Sequence, residues 1–365
     1  MSEPLSTLWP LEPHTRGKHL VLRNYLGAWF PIIGSSTTRL LFIDGFAGPG
    51  KYTGGELGSP MIALETYIGH RHRHLVTAEA VFVFIEKDAR RAAYLKAMVD
   101  KLQPSLSPRS KVYVETGLFD EQMNRVLDAL QAVGTSLAPA FVMLDPFGVS
   151  GTPMAVVEKI LGNPMAEVYV SFMYEAINRF KSSPEFAPHL DGLFGCADWR
   201  DGIEIAVPRE RKEFFYALYE RQLKNAGASQ VVRFELYEGD RLVYAIFFGT
   251  KSTKGSDRMK QAIWKVVPFG DFAFRGVRSG QFGLELRSQD FGPLIKAIAA
   301  EFLGRGWVSI EDVQGFVASD RTDFHTGQVK RQALKPLEQA GRLEIDPTTR
   351  NRRFTYPDGA LLRFT

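Results

Sequence analysis

The chain has 365 residues, enough for one large α/β domain and a smaller second one, because single cores seldom exceed roughly 250–300 residues. Its 45% hydrophobic and 24% charged residues exclude a disordered chain, and its single cysteine, Cys196, excludes an internal disulfide and a thiolate cluster. The net charge is +4, and there is neither an apolar run of about 18 residues nor a signal-like N-terminus, so we expect a soluble cytoplasmic protein with no membrane partner.

Five short apolar runs alternate with helical stretches through the first half of the chain. Each run ends at polar or glycine residues, as strands buried on both faces do. The predicted strands are 40–44, 81–86, 112–115, 141–145 and 168–173. The predicted helices are 17–29, which ends before Pro31, then 61–68, 89–102, 121–132 and 156–161. This alternation predicts a Rossmann-like α/β domain with a mostly parallel sheet covered on both faces.

The second half of the chain has a different pattern. A helix is predicted at 209–226, followed by segments 231–237 and 242–248, which flank Glu238-Gly239-Asp240 as an antiparallel hairpin that closes the sheet. The tail then has a helix from 292, a strand, helices at 311–318 and 326–340, and a hairpin at 343–356. This is the order of a winged helix. We therefore predict an α/β domain over 1–290 and a winged helix-turn-helix domain over 291–365.

The first predicted strand runs into a glycine-rich turn, Asp44-Gly45-Phe46-Ala47-Gly48-Pro49-Gly50. Such turns at the carboxyl ends of parallel strands let the backbone approach a ligand closely. The turn lacks the spacing of dinucleotide and phosphate loops and resembles the first motif of S-adenosylmethionine-dependent amino-methyltransferases. The candidate cofactor-binding residues are Asp44, Gly45, Phe46, Gly48 and Gly50, and the cofactor that the resemblance implies is S-adenosylmethionine.

A second acidic residue, Glu86, ends the next predicted strand. A carboxylate at this position can accept hydrogen bonds from ribose hydroxyls, so Glu86 joins the candidate cofactor site. It lies 42 residues after Asp44, about twice the usual spacing, and we attribute the excess to an inserted segment at 51–79.

The fourth predicted strand ends in Asp145-Pro146-Phe147-Gly148. A carboxylate, a proline carbonyl and an aromatic ring can together accept hydrogen bonds from an exocyclic amine and stack on its base. The carboxylate can also help to remove the proton released when nitrogen is methylated. We therefore predict Asp145, Pro146 and Phe147 as catalytic residues. The alternative is that Asp145 caps the turn and Phe147 packs in the core.

These motifs together carry a family resemblance. Asp145-Pro146-Phe147-Gly148 resembles the motif of tRNA guanine-N2 dimethyltransferases and is one proline short of that of adenine methyltransferases. Most of 17–290 resembles the three-Cys-motif partner proteins (TcmP), and the tail resembles their winged helix. The segments that carry this resemblance are Lys18-His19, Tyr25, Trp29, the Asp44 loop as far as Tyr52, Gly58-Ser59-Pro60, Phe84-Ile85-Glu86, Gly117-Leu118-Phe119 and Asp145 to Gly148.

The resemblance adds three expectations. It implies a class I methyltransferase fold for the first domain. It places Gly117 and Phe119 beside the cofactor. It also implies a partner protein with three cysteines of the radical-S-adenosylmethionine type, which carries an iron–sulfur cluster.

Two basic zones suggest nucleic acid, RNA or DNA, as a second partner. The net charge is +6 over 241–280 and +4 over 321–353. In the tail, Lys330 and Arg331 lie on the predicted helix, and Arg350, Arg352 and Arg353 lie near the hairpin tip; these five are the candidate nucleic-acid-binding residues. The alternatives are a solvated charged face or a contact with the protein partner.

The main functional hypothesis is a methyltransferase that uses S-adenosylmethionine and acts on an amine of a nucleic-acid base. One alternative is a catalytically idle subunit that binds cofactor or nucleic acid and serves its cysteine-rich partner. Another is a DNA-binding regulator. We predict no metal site, because the alternating histidines at 70, 72 and 74 lack a framework of carboxylates or cysteines.

Overall fold

A computed structural model of the protein describes residues 6–238, 240–268, 273–274 and 289–365. The chain divides into two compact units, Met1–Lys251 with Ala273–Gln281 and Ser252–Phe272 with Phe282–Thr365. The division thus follows Lys251, whereas the boundary expected from the sequence is at 290. None of the helices in these ranges has the length and apolarity needed to span a membrane.

The first unit alternates helices and strands as the sequence predicts. Its helices are α1 Pro13–Gly34, α2 Ser59–Ile68, α3 Ala89–Leu102, α4 Phe119–Ala132, α5 Met154–Leu161, α6 Tyr174–Phe180, α7 Ala187–Phe194 and α8 Pro208–Asn225. Its strands are β1 Arg39–Asp44, β2 Glu79–Glu86, β3 Ser110–Thr116, β4 Ala140–Leu144, β5 Ala166–Phe172, β6 Gln230–Glu238, β7 Arg241–Thr250 and β8 Ala273–Phe274.

The sheet has the order β3-β2-β1-β4-β5-β7-β6-β8. Strands β1 to β5 pair in parallel, and β7 runs antiparallel to both β5 and β6. The chain order reverses between β1 and β4, which is the switch point where open α/β sheets bind ligands. The predicted mostly parallel, Rossmann-like α/β fold is confirmed. The predicted hairpin is β6 and β7, with its second strand next to β5.

The burial of the central strands explains why the sequence reveals them. Every residue of β4 and of β5 is buried, because helices cover both faces of the sheet. Helix α1 differs from its prediction, because it continues through Pro31 and ends at Gly34. Pro31 lies in its last turns, and the burial of Trp29 and Phe30 outweighs the hydrogen bond that the proline removes.

The segment between Asp44 and Glu86 contains other elements besides the crossover helix α2. Lys51 pairs with Leu57 in an isolated antiparallel bridge before α2, and the backbone N–H of Gly58 returns to the carbonyl of Gly50 at 2.8 Å. After α2 the chain makes a short 3-10 helix at Arg73–Leu75 before β2. These two excursions account for the wide spacing between the two acidic residues.

The second unit contains a small antiparallel sheet of order β10-β11-β9. Its elements are α9 Thr253–Val266, α10 Gly292–Phe302, β9 Trp307–Ser309, α11 Ile310–Ala318, α12 Lys335–Gln339, β10 Leu343–Ile345 and β11 Leu361–Phe364. The helix predicted at 326–340 begins as a 3-10 turn, Thr326–Gln328, and a π-helical segment, Val329–Leu334, that runs into α12.

The predicted hairpin at 343–356 is wrong in its second strand. Strand β10 pairs with β11, so 346–360 forms the connection between them. Residues 350–353 are three arginines and an asparagine with no alternating apolar face, whereas β11 alternates buried and more exposed positions from Leu361.

Helix α9 anchors the loop between α11 and Thr326. Lys260 is 1% exposed and donates hydrogen bonds to the carbonyls of Val317, Ser319 and Thr322. Asp257 accepts hydrogen bonds from the backbone and hydroxyl of Thr326. An ammonium group has three donors, so these carbonyls use all of them. Lys260 is therefore a structural residue and adds nothing to the basic surface that the sequence predicts over 241–280.

Candidate ligand site of the first unit

The carboxyl ends of β1, β2 and β4 border two adjoining cavities of the first unit. The Lys18 cavity has a volume of about 410 Å³ and includes Trp9, His14, Lys18, Gly48, Gly50, Tyr52, Asp145, Met173 and Tyr244 in its lining. The Glu86 cavity has a volume of about 480 Å³ and includes Gly45, Glu86, Gly117, Phe119 and Gly148. Phe46, Pro146 and Phe147 line both cavities, so the two share one wall.

The glycine turn after β1 has a backbone that favours glycine. Gly48 and Gly50 have φ angles of +60° and +77°. A Cβ atom on Gly50 would lie 2.6 Å from Leu95 Cδ1, and one on Gly45 would lie 2.4 Å from the ring of Phe119. Gly45, Gly48 and Gly50, all named from the sequence, therefore have a structural reason to lack a side chain. A side chain at these positions would be strained or would displace the residues packed around the turn.

Asp44 ends β1 with its side chain fully buried. Its Oδ1 accepts a hydrogen bond from the backbone N–H of Phe46 at 3.1 Å, and its Oδ2 has no hydrogen-bond partner among the described residues. Burial disfavours the charged form and raises the pKa of Asp44 to about 7. The Ser59 side chain and the N–H of Phe46 lower the pKa, but by less than burial raises it, so Asp44 is a buried residue that supports the turn and does not line either cavity.

Glu86 joins the two loops at the top of β1 and β2. Its Oε2 accepts from the N–H of Gly48 and its Oε1 accepts from the N–H of Asp88, both at 2.8 Å. The carbonyl of Glu86 accepts from the N–H of Gly117 at 3.1 Å. Each carboxylate oxygen can accept a second hydrogen bond, so a residue that holds the loop together can also contact a hydroxyl group in the Glu86 cavity.

Gly117 and Phe119 lie where β3 leads into α4. Gly117 has a φ angle of +153°, and Phe119 is 2% exposed with its ring centroid 5.9 Å from that of Phe46. These rings give the Glu86 cavity an aromatic wall. The structure thus brings together all eleven residues that the sequence assigns to cofactor binding and catalysis.

Asp145 follows β4 and forms an ion pair with Lys18 of α1. The Lys18 side chain is 3% exposed and that of Asp145 is 24% exposed. Burial alone would raise the pKa of Asp145, but the charge and hydrogen bond of Lys18, together with Ser171, outweigh it and the pKa is lowered. Asp145 is therefore an ionised carboxylate, which accepts hydrogen bonds and binds protons weakly. The sequence reveals neither this pairing nor its effect.

An N-terminal segment completes the wall of the Lys18 cavity. The ring centroid of Trp9 lies 5.8 Å from that of Phe147 and 5.9 Å from that of Tyr52. The guanidinium of Arg91 lies 5.1 Å from the ring centroid of Trp9. The carbonyl of Trp9 accepts from the N–H of Thr53 at 3.0 Å. Sequence reasoning missed Trp9 because the residues before α1 have no periodic pattern.

His14 and Tyr244 are two further lining residues that sequence reasoning missed. The spacing of His14 and Lys18, four residues apart on α1, indicates that they share a helix face. Only the packing of α1 identifies that face as the one lining the cavity. No group of three or more His, Cys, Asp or Glu side chains placed to hold a metal ion occurs in the part of the chain that the structure describes.

The five basic residues predicted to bind nucleic acid all lie in the second unit. Arg331, Arg352 and Arg353 are exposed, and Lys330 is 43% exposed with its ammonium 3.7 Å from Asp358. Arg350 differs. Its guanidinium pairs with Glu338 at 2.7 Å and its side chain is only 15% exposed. The ion pair makes Arg350 a structural residue rather than the free cation that the sequence predicts.

No model of a protein family matches the chain, and no curated protein matches it. Solved structures resemble it at low identity. An O-methyltransferase from Bacillus cereus in complex with SAH has 14% identity and a TM-score of 0.34, over 66% of this chain and 82% of that one. The O-methyltransferase TomG from Streptomyces achromogenes, in complex with SAM, has 12% identity and a TM-score of 0.33, over 67% and 91%.

The N-terminal domain of human METTL16 in complex with SAH is a third similar structure. It has 16% identity and a TM-score of 0.32, over 68% of this chain and 75% of that one. Similarities of this size are too low to transfer a function. The class of protein is defined by the fold and the site, which are those of a Rossmann-like α/β protein with ligand cavities at its switch point.

Proposed function

We propose that the chain is an S-adenosylmethionine-dependent methyltransferase. The observation that carries this proposal is the wall common to the two cavities. One cavity contains the residues suited to a nucleoside, the other contains Asp145, and Phe46, Pro146 and Phe147 border both. A cofactor and an acceptor bound in the two cavities would be neighbours at these three residues, and transfer requires their reacting atoms to meet at the edge of this wall, roughly 3–3.5 Å apart.

The residues around the glycine turn fit the proposed cofactor. Asp44 holds the turn from behind through the N–H of Phe46, and Glu86, which lines the cavity, can accept a hydrogen bond from a ribose hydroxyl. Phe119 and Gly117 both line the Glu86 cavity, and the ring of Phe119 offers an aromatic face that suits an adenine ring. When bound, the cofactor would supply an electrophilic methyl group. The glycine turn and Glu86 would hold it in the Glu86 cavity.

The proposed acceptor is an amine of a nucleic-acid base, held by Asp145, Pro146 and Phe147. An ionised carboxylate only accepts hydrogen bonds, so Asp145 can orient an amine by its N–H groups. Because Lys18 lowers its pKa, Asp145 is a weak base, and we assign it to positioning rather than to proton removal. Phe147 offers its ring for stacking.

The second unit is proposed to be a winged helix that binds RNA or DNA. Its elements follow the order α10, β9, α11, the helical segment to α12, β10 and β11, and Arg331, Arg352 and Arg353 are exposed. The resemblance to TcmP further suggests a partner with three cysteines and an iron–sulfur cluster. That partner could use the same basic surface.

A second function is favoured by one observation. Lys18 already occupies the position at Asp145 that a substrate amine would take. If the ion pair persists when cofactor is bound, the protein is a catalytically idle subunit that serves its partner.

Calorimetry and a transfer assay separate the two functions. We expect the purified chain to bind S-adenosylmethionine and its demethylated product, and to transfer labelled methyl groups to total RNA or DNA, with or without the three-cysteine protein. Binding without transfer under both conditions supports the idle subunit. A folded chain that binds neither compound excludes the methyltransferase and leaves the idle subunit only as a protein that binds nucleic acid.

A further inference from the structure

The Lys18 cavity contains buried polar atoms that have no partner within the protein. His14 is 2% exposed, and neither of its ring nitrogens has a hydrogen-bond partner among the described residues. Tyr244 is 1% exposed, and its hydroxyl makes no hydrogen bond of normal geometry with the described residues, although the side chain of Thr15, which also lines the cavity, lies close enough to lower its pKa. The two rings are in edge contact, with centroids 5.4 Å apart, and both residues line the cavity. Three unpartnered polar atoms therefore belong to adjacent residues of one cavity wall.

Such an arrangement is unfavourable in the empty protein. Each buried polar atom left without a partner costs about 1–3 kcal/mol. Buried hydroxyls such as that of Tyr219 also lack a partner among the described residues, but His14 and Tyr244 line a cavity in which a ligand can supply the missing hydrogen bonds. Burial, assisted by the positive charge of Lys18, lowers the pKa of His14 to about 4, so its imidazole is neutral at physiological pH. It then offers one donor and one acceptor, and the hydroxyl of Tyr244 can act as either.

The remaining walls restrict the ligand further. Trp9, Phe46, Phe147 and Met173 supply apolar and aromatic surface, while Lys18 donates and Asp145 accepts hydrogen bonds. A volume of about 410 Å³ is within the range of small-molecule sites and admits a single ring system. The chemistry matches a planar heteroaromatic ring whose edge carries both donors and acceptors.

We infer that His14 and Tyr244 determine acceptor specificity by hydrogen-bonding the edge of a nucleobase held in the Lys18 cavity. This inference rests on the proposed function only in treating the bound base as the methyl acceptor. Neither residue transfers a proton in this role. Both act in binding, so their contribution is measurable without turnover.

The test uses adenosine, guanosine, cytidine and uridine as probes, with the full-length chain saturated with S-adenosylhomocysteine. Saturation-transfer NMR titrations compare wild type with His14→Phe and Tyr244→Phe, which remove the polar atoms and keep the rings. We expect wild type to bind at least one nucleoside and each variant to bind it about 5- to 10-fold more weakly, the effect of removing one hydrogen bond. His14→Gln, which retains a donor and an acceptor, should bind more tightly than His14→Phe.

Tyr219→Phe is the matched control. Tyr219 is fully buried in the same unit, its hydroxyl also lacks a partner among the described residues, and it does not line the Lys18 cavity. Its nucleoside affinity should equal that of wild type. Melting temperatures check folding, and Tyr244→Phe decides the test if His14→Phe does not fold.

Two outcomes overturn the inference. One is equal nucleoside affinity in wild type, His14→Phe and Tyr244→Phe, and the other is no binding of any nucleoside to folded wild type. Failure of this inference and failure of the proposed function give different results. A chain that binds guanosine, cytidine or uridine through His14 and Tyr244 but fails to bind S-adenosylhomocysteine would retain this site and lose the methyltransferase assignment.

Discussion

Lys18, in the second turn of α1, forms an ion pair with Asp145, 127 residues later in the chain and just beyond β4. The pair joins the N-terminal helix to the strand end that carries the proposed acceptor site. Because the Lys18 side chain is almost fully buried, loss of its partner would leave a charge with little access to water.

A double-mutant cycle should reveal the coupling between these two residues. We expect Lys18→Met to lower the free energy of unfolding by about 1–3 kcal/mol, less than for a fully buried pair because Asp145 is partly exposed. In the Asp145→Asn background the same change should cost much less. Urea unfolding of the four proteins measures this difference. Additive effects would contradict an energetically important pair.

Gly45→Ala should weaken cofactor binding by at least about 10-fold. The added Cβ atom would lie 2.4 Å from the ring of Phe119, so the ring must move into the Glu86 cavity or the turn must shift. Calorimetry with S-adenosylhomocysteine measures the effect. Gly27→Ala is the control, because a Cβ atom at this position in α1 has no neighbour within 4 Å. That variant should be slightly stabilised, with unchanged affinity. Unchanged affinity in Gly45→Ala would exclude the Glu86 cavity as the cofactor site.

Asp44 should make the first unit less stable as the pH rises from about 4 to 7. Its pKa is near 3.8 in the unfolded chain and about 7 in the folded protein, so the folded state binds the extra proton in this window. The stability that Asp44 contributes is complete below pH 4 and is lost as the pH passes 7, on the order of 2–4 kcal/mol. Asp44→Asn removes this dependence.

The measurement compares wild type with Asp44→Asn at each pH, because His14 has the opposite effect. Its lowered pKa of about 4 makes the protein lose stability as the pH falls from 6.5 to 4. The difference between the two proteins in denaturant unfolding isolates Asp44. A difference that stays constant from pH 4 to 7 would mean that Asp44 ionises normally in the folded protein.

The sequence predicts the parts of the site whose chemistry and position are both local. The strand β4 can be predicted because it is buried on both faces and is therefore continuously apolar. A residue that follows it, such as Asp145, must lie at the carboxyl ends of the parallel strands, where such sheets bind ligands. The turn at Gly48 and Gly50 can be predicted because its backbone conformation favours glycine.

Residues whose role depends on tertiary packing were not predictable. Tyr244 lies on β7, and the insertion of this strand beside β5 brings it to the cavity, where it meets His14 from a helix 230 residues earlier. The charge state of Asp145 likewise depends on Lys18, which no local pattern connects to it. The sequence predicts Arg350 to be a surface cation, because its ion pair with Glu338 is formed only in the folded chain.

Lys260→Met should destabilise the second unit. The change removes three hydrogen bonds to the carbonyls of Val317, Ser319 and Thr322, and we expect the unit to become about 2–4 kcal/mol less stable. Limited proteolysis at increasing temperature detects this change, while affinity for S-adenosylhomocysteine should stay the same. Lys254→Met, on an exposed position of the same helix, is the control and should behave as wild type. Equal protease resistance of both variants would contradict the anchoring role of Lys260.

Removal of the exposed arginines of the second unit should reduce the salt dependence of nucleic-acid binding. Binding to each phosphate releases counterions, so removing one arginine that binds a phosphate lowers the slope of log affinity against log salt by roughly one unit on duplex DNA. We expect the triple variant Arg331→Ala, Arg352→Ala, Arg353→Ala to show a slope smaller by roughly two to three units. Fluorescence anisotropy with duplex and single-stranded DNA and RNA, from about 50 to 200 mM salt, measures the slopes.

Two further arginines of the same unit distinguish phosphate binding from overall charge. Arg363→Ala removes one charge from a residue that pairs with Glu344 on the small sheet, and it should leave the slope unchanged. Arg350→Ala should lower the melting temperature instead, because Glu338 would remain 8% exposed without its cation. If the triple variant keeps the wild-type slope on every probe, the basic surface does not bind phosphates, and we would then propose it as an interface with a protein partner.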